Sequence, residues 1–301
     1  MSLSNKKNKI KMVPEDRIYH AIVIPIFILF TILCIYPFWY LMICTVSDSK
    51  QIDMGNVILW PIGFHFDNYV RVFKEPGLGR AAFISIARVF CATAATVLCC
   101  AYGGYFLTKQ NWWGRKFWYR FMVYTMYFSA GLIPGYLNYR DLGLLNTFWM
   151  YVIPGCFSIY NAVLVKTNIE AMPKELEESA VLDGAGYMRR FVQIVLPLQK
   201  PILATIALWT AVGAWNDFMT TKIYITKPSL STLQFKLNEI LLQTQAAAEA
   251  MKQAGMQMQN VVTPTGVRLA LTAVIVIPIM CVYPFIQKYY VKGVMIGAVK
   301  G

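Results

Sequence analysis

Charged residues are scarce in this chain of 301 residues, where Asp, Glu, Lys and Arg together make up 14%, against about 25% in a soluble domain. Hydrophobic residues make up 57% of the chain, and the mean hydropathy is +0.48. So much apolar surface must face something other than water, and a lipid bilayer is the solvent that it fits. The composition therefore predicts a membrane protein, with the bilayer as a partner.

The residues that build metal, thiol and nucleotide sites are few or wrongly spaced. The two histidines, His20 and His65, lie far apart, and the seven cysteines show no C-x-x-C spacing, so we interpret the cysteines as small buried hydrophobes. No G-x-x-x-x-G-K-[ST] loop for binding phosphate occurs. The sequence thus predicts no catalytic residue, no metal site and no cofactor bound by this chain.

The basic residues follow the pattern of a membrane protein. A net charge of +13 would suit nucleic acid, but the lysines and arginines border apolar runs, as they do at membrane surfaces. With the N-terminus inside, most of the 28 Lys and Arg residues fall in the shorter, inner segments. We therefore predict that both termini are cytoplasmic and that no nucleic acid is bound.

Six apolar stretches have about the 20 residues that a helix needs to cross a bilayer. The predicted fold is all-α, a polytopic membrane protein with six transmembrane helices. The predicted spans are Ala21–Ile43, Ala81–Leu107, Phe117–Gly135, Thr147–Val165, Pro201–Thr220 and Val267–Phe285. They divide the chain into an N-terminal cytoplasmic segment (1–20), a transmembrane domain (21–290) and a C-terminal cytoplasmic tail (291–301).

Two connecting segments are too long to be simple turns. The predicted outer one, 221–266, includes an Ala-, Gln- and Met-rich stretch, Gln243–Asn260, which favours an exposed helix. The predicted inner one includes residues 171–197, where Pro173 and three glutamates are typical of a helix start and Gly184 of a helix end. A second helical segment follows up to Pro197. The pattern predicts a helix-turn-helix elbow that either docks in a groove of another protein or lies on lipid.

The elbow resembles the signature loop of binding-protein-dependent ABC importer permeases. That pattern is Glu-Ala-Ala, three residues, Gly, nine residues, Ile, one residue and Leu-Pro. Here the matching positions are Glu178-Ser179-Ala180, Gly184, Ile194 and Leu196-Pro197, with the spacing unbroken and one departure, Ser179 for alanine. The departure exchanges one small residue for another.

Further motifs resemble the carbohydrate branch of this family, especially the G-type subunit of maltose systems and permeases for complex oligosaccharides. They cover nearly the whole chain from the first span onward. They are Phe66-Asp67-Asn68-Tyr69, Gly143-Leu144-Leu145-Asn146-Thr147, Trp215-Asn216-Asp217 and the ending Gly297–Gly301.

The resemblance implies a type I ABC importer transmembrane domain that moves a carbohydrate, an oligosaccharide, across the bacterial plasma membrane. It implies four kinds of partner: a second, non-identical permease, two ATP-binding subunits that hold ATP and Mg, an extracytoplasmic solute-binding protein, and lipid. The elbow would be the coupling helix, docked on an ATPase subunit. Its implied contact residues are Glu178, Ser179, Ala180, Asp183, Gly184, Ala185 and Arg189, and the implied tail contacts are Val299, Lys300 and Gly301.

Residue roles inside the membrane are less defined. Trp215, Asn216, Asp217 and Tyr127 would suit a sugar path, since aromatic rings stack on sugars and amides bind hydroxyls, but interfacial anchoring and helix packing explain them equally well. Arg88 is a charge inside the second span, which favours a structural pair or snorkelling over a place in the substrate path. The alternative function is a secondary transporter of a small polar solute, although the spans lack the central Asp or Glu that it would need.

Overall fold

The computed structural model describes residues 14–110, 113–253 and 265–281. Within these ranges the chain forms helices and no strand, so the all-α prediction is confirmed. The longer helices are α1 (Pro14–Thr45), α4 (Leu78–Thr108), α5 (Arg115–Thr125), α6 (Leu132–Asp141), α7 (Ile159–Glu170), α11 (Lys200–Asn216), α13 (Leu233–Gln253) and α14 (Thr265–Cys281). The shorter ones are α2 (Ser49–Asp53), α3 (Asp67–Phe73), α8 (Glu175–Leu182), α9 (Tyr187–Arg190), α10 (Leu196–Leu198) and α12 (Met219–Tyr224).

The chain forms two compact units, residues 1–70 with 258–273 and residues 71–257 with 274–301. In the first unit, the most apolar part of α1 has no residue buried in the protein, as expected for a helix surrounded by lipid or by another subunit. Asn68, the centre of the Phe66–Tyr69 motif, is fully buried: its side-chain amide donates to Thr45 O (3.1 Å) and its oxygen accepts from Ser49 Oγ (3.0 Å). This motif therefore holds the segment after α1 in place.

Two predicted spans are single helices. α1 covers Ala21–Ile43, and α4 covers Ala81–Leu107. The 31 residues of α4 extend about 46 Å at about 1.5 Å per residue, more than the roughly 30 Å of a hydrocarbon core. In the described part of the chain, these two helices are long and apolar enough to cross a membrane, and a third crossing is present if the bent pair of residues 187–198 and 200–216 forms one span.

The third and fourth predicted spans are wrong as continuous helices. Phe117–Gly135 is divided between α5 and α6, and the second of these begins after Gly131, whose φ is +84°. Thr147–Val165 is divided into a 3₁₀ turn, Phe148–Tyr151, and α7. Pro154 and Gly155 lie in the break, where proline removes a helical N–H donor and glycine disfavours the helix. Hydropathy measures the length of an apolar stretch and does not detect such breaks, so six complete crossings stay a prediction.

The fifth predicted span corresponds to α11, which ends four residues before the predicted Thr220. Residues 187–198 meet α11 at an angle of 78°, with Pro197 and Pro201 on either side of the bend. Of the sixth span, Val267–Phe285, α14 accounts for the residues up to Cys281, while 282–285 lie outside the described residues. Residues 1–13 and the predicted tail 291–301 also lie outside them.

The core of the second unit joins α4, α7 and α11. One hydrophobic cluster of this core has the buried members Ala101, Tyr105, Val165, Ile169, Phe191, Val195, Leu203 and Ile206. Gly104 makes the close approach of α4 to α7 possible, because a Cβ at this position would lie 2.7 Å from Val165 Cβ. Small residues are the usual means by which membrane helices pack closely.

The predicted outer loop contains more helix than the sequence indicated. α12, a 3₁₀ turn (Pro228–Leu230) and α13 follow α11, and α13 begins at Leu233, ten residues before the predicted Gln243. Leu233 and Leu237 are buried, and the backbone N–H of Leu233 donates to Ser85 Oγ of α4 (2.7 Å). From Gln243 onward the described side chains of α13 are exposed, as predicted, and residues 254–264 lie outside the described part.

Candidate functional site

The elbow between α7 and α11 is a helix-turn-helix, as the sequence predicted. α8 ends at Leu182, and the chain turns at Gly184, whose φ of +76° lies in the left-handed region that favours glycine. The N–H of Gly184 donates to Val181 O (3.0 Å) and the N–H of Ala185 donates to Ala180 O (2.9 Å), so the turn satisfies two carbonyls at the end of α8. α9 then begins at Tyr187.

The elbow presents an exposed face of mixed chemistry. Leu182 is 88% exposed, and Val181 and Met188 are also exposed. Of the residues predicted to contact an ATPase, five are exposed, Ala185 is half-buried and Ala180 is buried. The exposed five are Glu178, Ser179, Asp183, Gly184 and Arg189. Within the described residues, the Glu178 carboxylate has no hydrogen-bond or ion-pair partner, whereas Arg189 Nε donates to Gln193 Oε1 (3.0 Å).

The side of α8 next to α4 carries Glu177, which the sequence pattern indicated only as part of a helix start. Glu177 Oε1 accepts from Tyr105 Oη (3.0 Å), from Arg190 Nη1 (3.1 Å) and from Lys109 Nζ. Partial burial by itself raises the pKa of Glu177, but the hydrogen bonds and the positive charges of Lys109 and Arg190 outweigh it and hold that pKa below its usual value. The signal available in the sequence was only that Glu177 lies beside Glu178, since nothing in it places Lys109 next to the elbow.

The second arm of the elbow is packed into the core. Phe191 and Val195 are buried beside α4, and the Phe191 ring contacts the rings of Tyr102 and Tyr105 at centroid distances of 5.6 and 5.3 Å. Residues 191–195 form one wide π-helical turn. The elbow is thus held firmly along its second arm and by the Glu177 carboxylate along its first.

A groove of about 480 Å³ runs beside the elbow. Its walls come from the end of α4, the end of α7 and both arms of the elbow, and they mix apolar side chains with charges of both signs. Its charged lining residues are Lys109, Glu170, Lys174, Glu177, Glu178 and Arg190.

A second charged cluster lies at the other end of α4. Arg88, whose side chain is 6% exposed, forms an ion pair with Asp217 and donates from Nη1 to the Asp217 carbonyl (2.9 Å). Its guanidinium lies 4.6 Å from the centre of the Tyr151 ring. Arg88 therefore forms a structural ion pair, which is one of the two roles, pairing or snorkelling, that the sequence favoured.

The residues predicted to suit a sugar path each have a different environment. Asp217 pairs with Arg88 and also accepts from the N–H of Thr220 (3.1 Å). Trp215 Nε1 donates to Ile275 O (3.2 Å), Asn216 Nδ2 donates to Val212 O (3.0 Å) within α11, and Tyr127 is 83% exposed. These contacts match the packing alternative for Trp215 and Asn216, and a substrate role stays a prediction for all four. Val299, Lys300 and Gly301 lie outside the described residues.

The geometry of the elbow, the packed helices and the signature spacing agree with the family comparison. Residues 97–296 match the family of binding-protein-dependent transport system inner membrane components. The match covers the elbow and about two thirds of the chain, and the chain belongs to this family. It is therefore a membrane component of a transport system, and the secondary-transporter alternative loses its support.

Several relatives match over most of their length. Protein LplC of Bacillus subtilis is 35% identical over 89% of this chain and 90% of its own length. The polygalacturonan/rhamnogalacturonan transport system permease protein YtcP of the same organism is 29% identical over 95% and 100%. The maltodextrin transport system permease protein MdxG, also of B. subtilis, is 28% identical over 91% and 93%.

Two solved structures share the fold. A chain of a bacterial ABC transporter involved in the import of the acidic polysaccharide alginate superposes with a TM-score of 0.81 at 27% identity, over 93% of this chain and 99% of that one. A chain from a bacterial alginate ABC transporter in complex with an alginate pentasaccharide-bound periplasmic protein gives a TM-score of 0.52 at 15% identity, over 90% and 93%. The type I permease fold that the resemblance implied is confirmed.

Proposed function

We propose that this chain is the permease subunit of an ATP-driven importer that moves a carbohydrate, specifically an oligosaccharide, across the bacterial plasma membrane. The proposal rests on one observation above the others: an elbow with the unbroken signature spacing whose signature residues Glu178 and Gly184 are exposed. The relatives named for polygalacturonan/rhamnogalacturonan and maltodextrin transport support a saccharide as the cargo. So does the likeness to a transporter of alginate.

The exposed face of the elbow favours a protein partner over lipid. Interfacial helices carry Lys and Arg on their polar face, which attract anionic lipids. The first arm of this elbow instead exposes the carboxylates of Glu178 and Asp183, which an anionic lipid surface repels. Exposed Val181 and Leu182 lie between them, and apolar side chains surrounded by charges are typical of a docking surface.

The chain would work as one part of a larger assembly. A solute-binding protein would dock on the outer segments, and a second, non-identical permease would complete the path. Two ATP-binding subunits would hold ATP and Mg, each permease elbow would dock on one of them, and the tail Val299–Gly301 would reach toward them. Both termini would then be cytoplasmic, in keeping with the distribution of Lys and Arg.

The test is co-purification of the tagged chain, expressed in its own host and solubilised in mild detergent, with mass spectrometry of what accompanies it. We expect a second permease, a P-loop ATPase and a solute-binding protein with the wild type. Glu178→Arg should lose the ATPase, because it reverses the charge of an exposed carboxylate in the signature. Glu175→Arg, a matched change three residues earlier on the same helix and outside the signature, should retain it.

Recovery of the wild-type chain alone, from a preparation shown to be folded, would contradict the importer proposal. Equal recovery of the ATPase with Glu178→Arg and with the wild type would contradict the docking role of Glu178.

A further inference from the structure

We infer that Glu177 is a positioning residue that ties the first arm of the elbow to α4, so that movement of the elbow is passed directly to α4 as well as along the chain to α11. The inference rests on the proposed function, because it takes the elbow to be the part that the ATPase moves. It adds a residue that lies beside the signature and that, unlike Glu178, contacts α4.

One carboxylate oxygen connects the two consecutive arms of the elbow with the end of α4, which lies about 70 residues earlier in the sequence. Glu177 Oε1 lies on α8, Tyr105 Oη and Lys109 Nζ come from the end of α4 and the residue after it, and Arg190 Nη1 comes from α9. Because the three donors converge on the same oxygen, the first arm, the second arm and α4 are joined at one point. Hydrogen bonds to a charged group are the stronger kind.

The first arm has little else that holds it. Ala180 is the only buried residue of α8. The one other side-chain hydrogen bond on α8 in the described residues stays within the helix, from Ser179 Oγ to Leu176 O (3.3 Å). Within the part of the chain that the structure describes, Glu177 therefore makes the only side-chain hydrogen bonds that leave α8.

The two cations are already in place for this contact. Lys109 Nζ lies 4.0 Å from the centre of the Tyr105 ring, and Arg190 Cζ lies 4.4 Å from the centre of the Tyr187 ring. Cation–π contacts of this kind hold the long side chains in one arrangement. The Lys109 and Arg190 side chains are 21% and 11% exposed, so water competes with Glu177 only in part.

The geometry gives the elbow two routes to the membrane helices. The covalent route runs through Pro197 and the 78° bend into α11. The second route crosses at Glu177 to α4, the helix that forms the core with α7 and α11. Without Glu177, the first arm would lose its side-chain hydrogen bonds to Tyr105 and Lys109 at the end of α4.

The experiment uses the full co-purified complex in proteoliposomes and compares ATP hydrolysis with and without the co-purified solute-binding protein. Glu177→Gln keeps the shape and removes the charge. We expect it to retain the ATPase subunits and to lower the ratio of stimulated to basal hydrolysis by about tenfold, which corresponds to about 1.4 kcal/mol of coupling. The exposed Glu175→Gln should leave the ratio unchanged.

Exchanging the charges of Glu177 and Lys109 tests whether Glu177 acts through its ion pair or through a general structural role. Glu177→Lys should lose stimulation, because it places three cations together. Glu177→Lys combined with Lys109→Glu should restore much of it, since the carboxylate then stands at position 109 and can pair both with the new cation on α8 and with Arg190.

Three results would overturn the inference. The first is an unchanged ratio of stimulated to basal hydrolysis in Glu177→Gln, and the second is no recovery of stimulation in a folded charge-exchange variant. The third is loss of the ATPase subunits from Glu177→Gln, because Glu177 would then act in docking. Failure of the wild type to bind an ATPase would instead refute the proposed function.

Discussion

The two ends of α4 are both tied to later parts of the chain by a carboxylate, but in different ways. Near its start, Arg88 pairs with Asp217 after α11, and just beyond its end, Lys109 pairs with Glu177 of the elbow. The two pairs lie 21 residues apart in sequence, about 31 Å along a helix, which is close to the thickness of the hydrocarbon core. This separation would allow each pair to lie near one membrane surface.

The pair at Arg88 is the more deeply embedded of the two. Arg88 is 6% exposed, and beside it Tyr151 Oη bonds with Thr221 Oγ1 (2.9 Å) and donates to Leu230 O (2.8 Å). The contact at Glu177 has one carboxylate on a helix whose only buried residue is Ala180. We therefore expect changes at the first end of α4 to lower the stability of the protein, and changes at the second end to lower the coupling between ATP hydrolysis and transport.

The largest effect should follow from Gly184→Pro, which removes the turn of the elbow. The φ of Gly184 is +76°, whereas proline requires about −65°, so the turn cannot form. We expect stimulation of ATP hydrolysis by the binding protein to be abolished, while the amount of the chain in the membrane is unchanged. Gly186→Pro is the matched control, because Gly186 already has φ −67°, and normal stimulation in Gly184→Pro would reject the elbow as the coupling element.

The next largest effect should be on folding stability, in Arg88→Ala. This change leaves Asp217 without its cation in a partly buried position, and breaking a buried pair costs about 3 kcal/mol at the lower end of the usual range, which fits the 28% exposure of Asp217. Thermal unfolding in detergent should shift to a lower temperature, and Arg88→Met with Asp217→Leu should recover much of the loss. An unchanged midpoint of thermal unfolding in Arg88→Ala would show that the ion pair of Arg88 and Asp217 does not contribute to stability.

A smaller loss of stability is expected from Asn146→Ala, in the motif Gly143–Thr147. Asn146 has φ +58°, and its Oδ1 accepts from the N–H groups of Thr226 (2.5 Å) and Lys227 (3.2 Å), which fixes the segment after α12. Because Thr226 and Lys227 are exposed, the loss should be about 1 kcal/mol, visible in the same thermal assay. Asn146→Asp keeps the acceptor oxygen and should lose less stability. A larger loss of stability in Asn146→Asp than in Asn146→Ala would contradict this role.

These particular residues also show what the sequence could predict. The spacing of the signature predicted the family and the turn at Gly184, and the apolar runs predicted α1 and α4. Each of these predictions depends on residues that are close together in the chain. The breaks inside the third and fourth predicted spans were missed, since hydropathy is insensitive to local φ and ψ. The contacts of Glu177 with Lys109 and of Arg88 with Asp217 join residues 68 and 129 positions apart, so only the packed fold brings them together.

The smallest expected effect is that of pH on the Glu177 contact. The pKa of Glu177 lies below its usual value of about 4.3. A carboxyl group with a lowered pKa stabilises the folded state fully above its unfolded pKa, and this contribution is lost only as the pH falls through the folded pKa. Between about pH 6 and pH 8 the contact should therefore stay intact. The stimulated-to-basal ratio of the wild type and that of Glu177→Gln should then differ by a constant factor across this range. A factor that shrinks toward pH 6 would mean that Glu177 becomes protonated there, and that its three donors hold the charge less firmly than their geometry indicates.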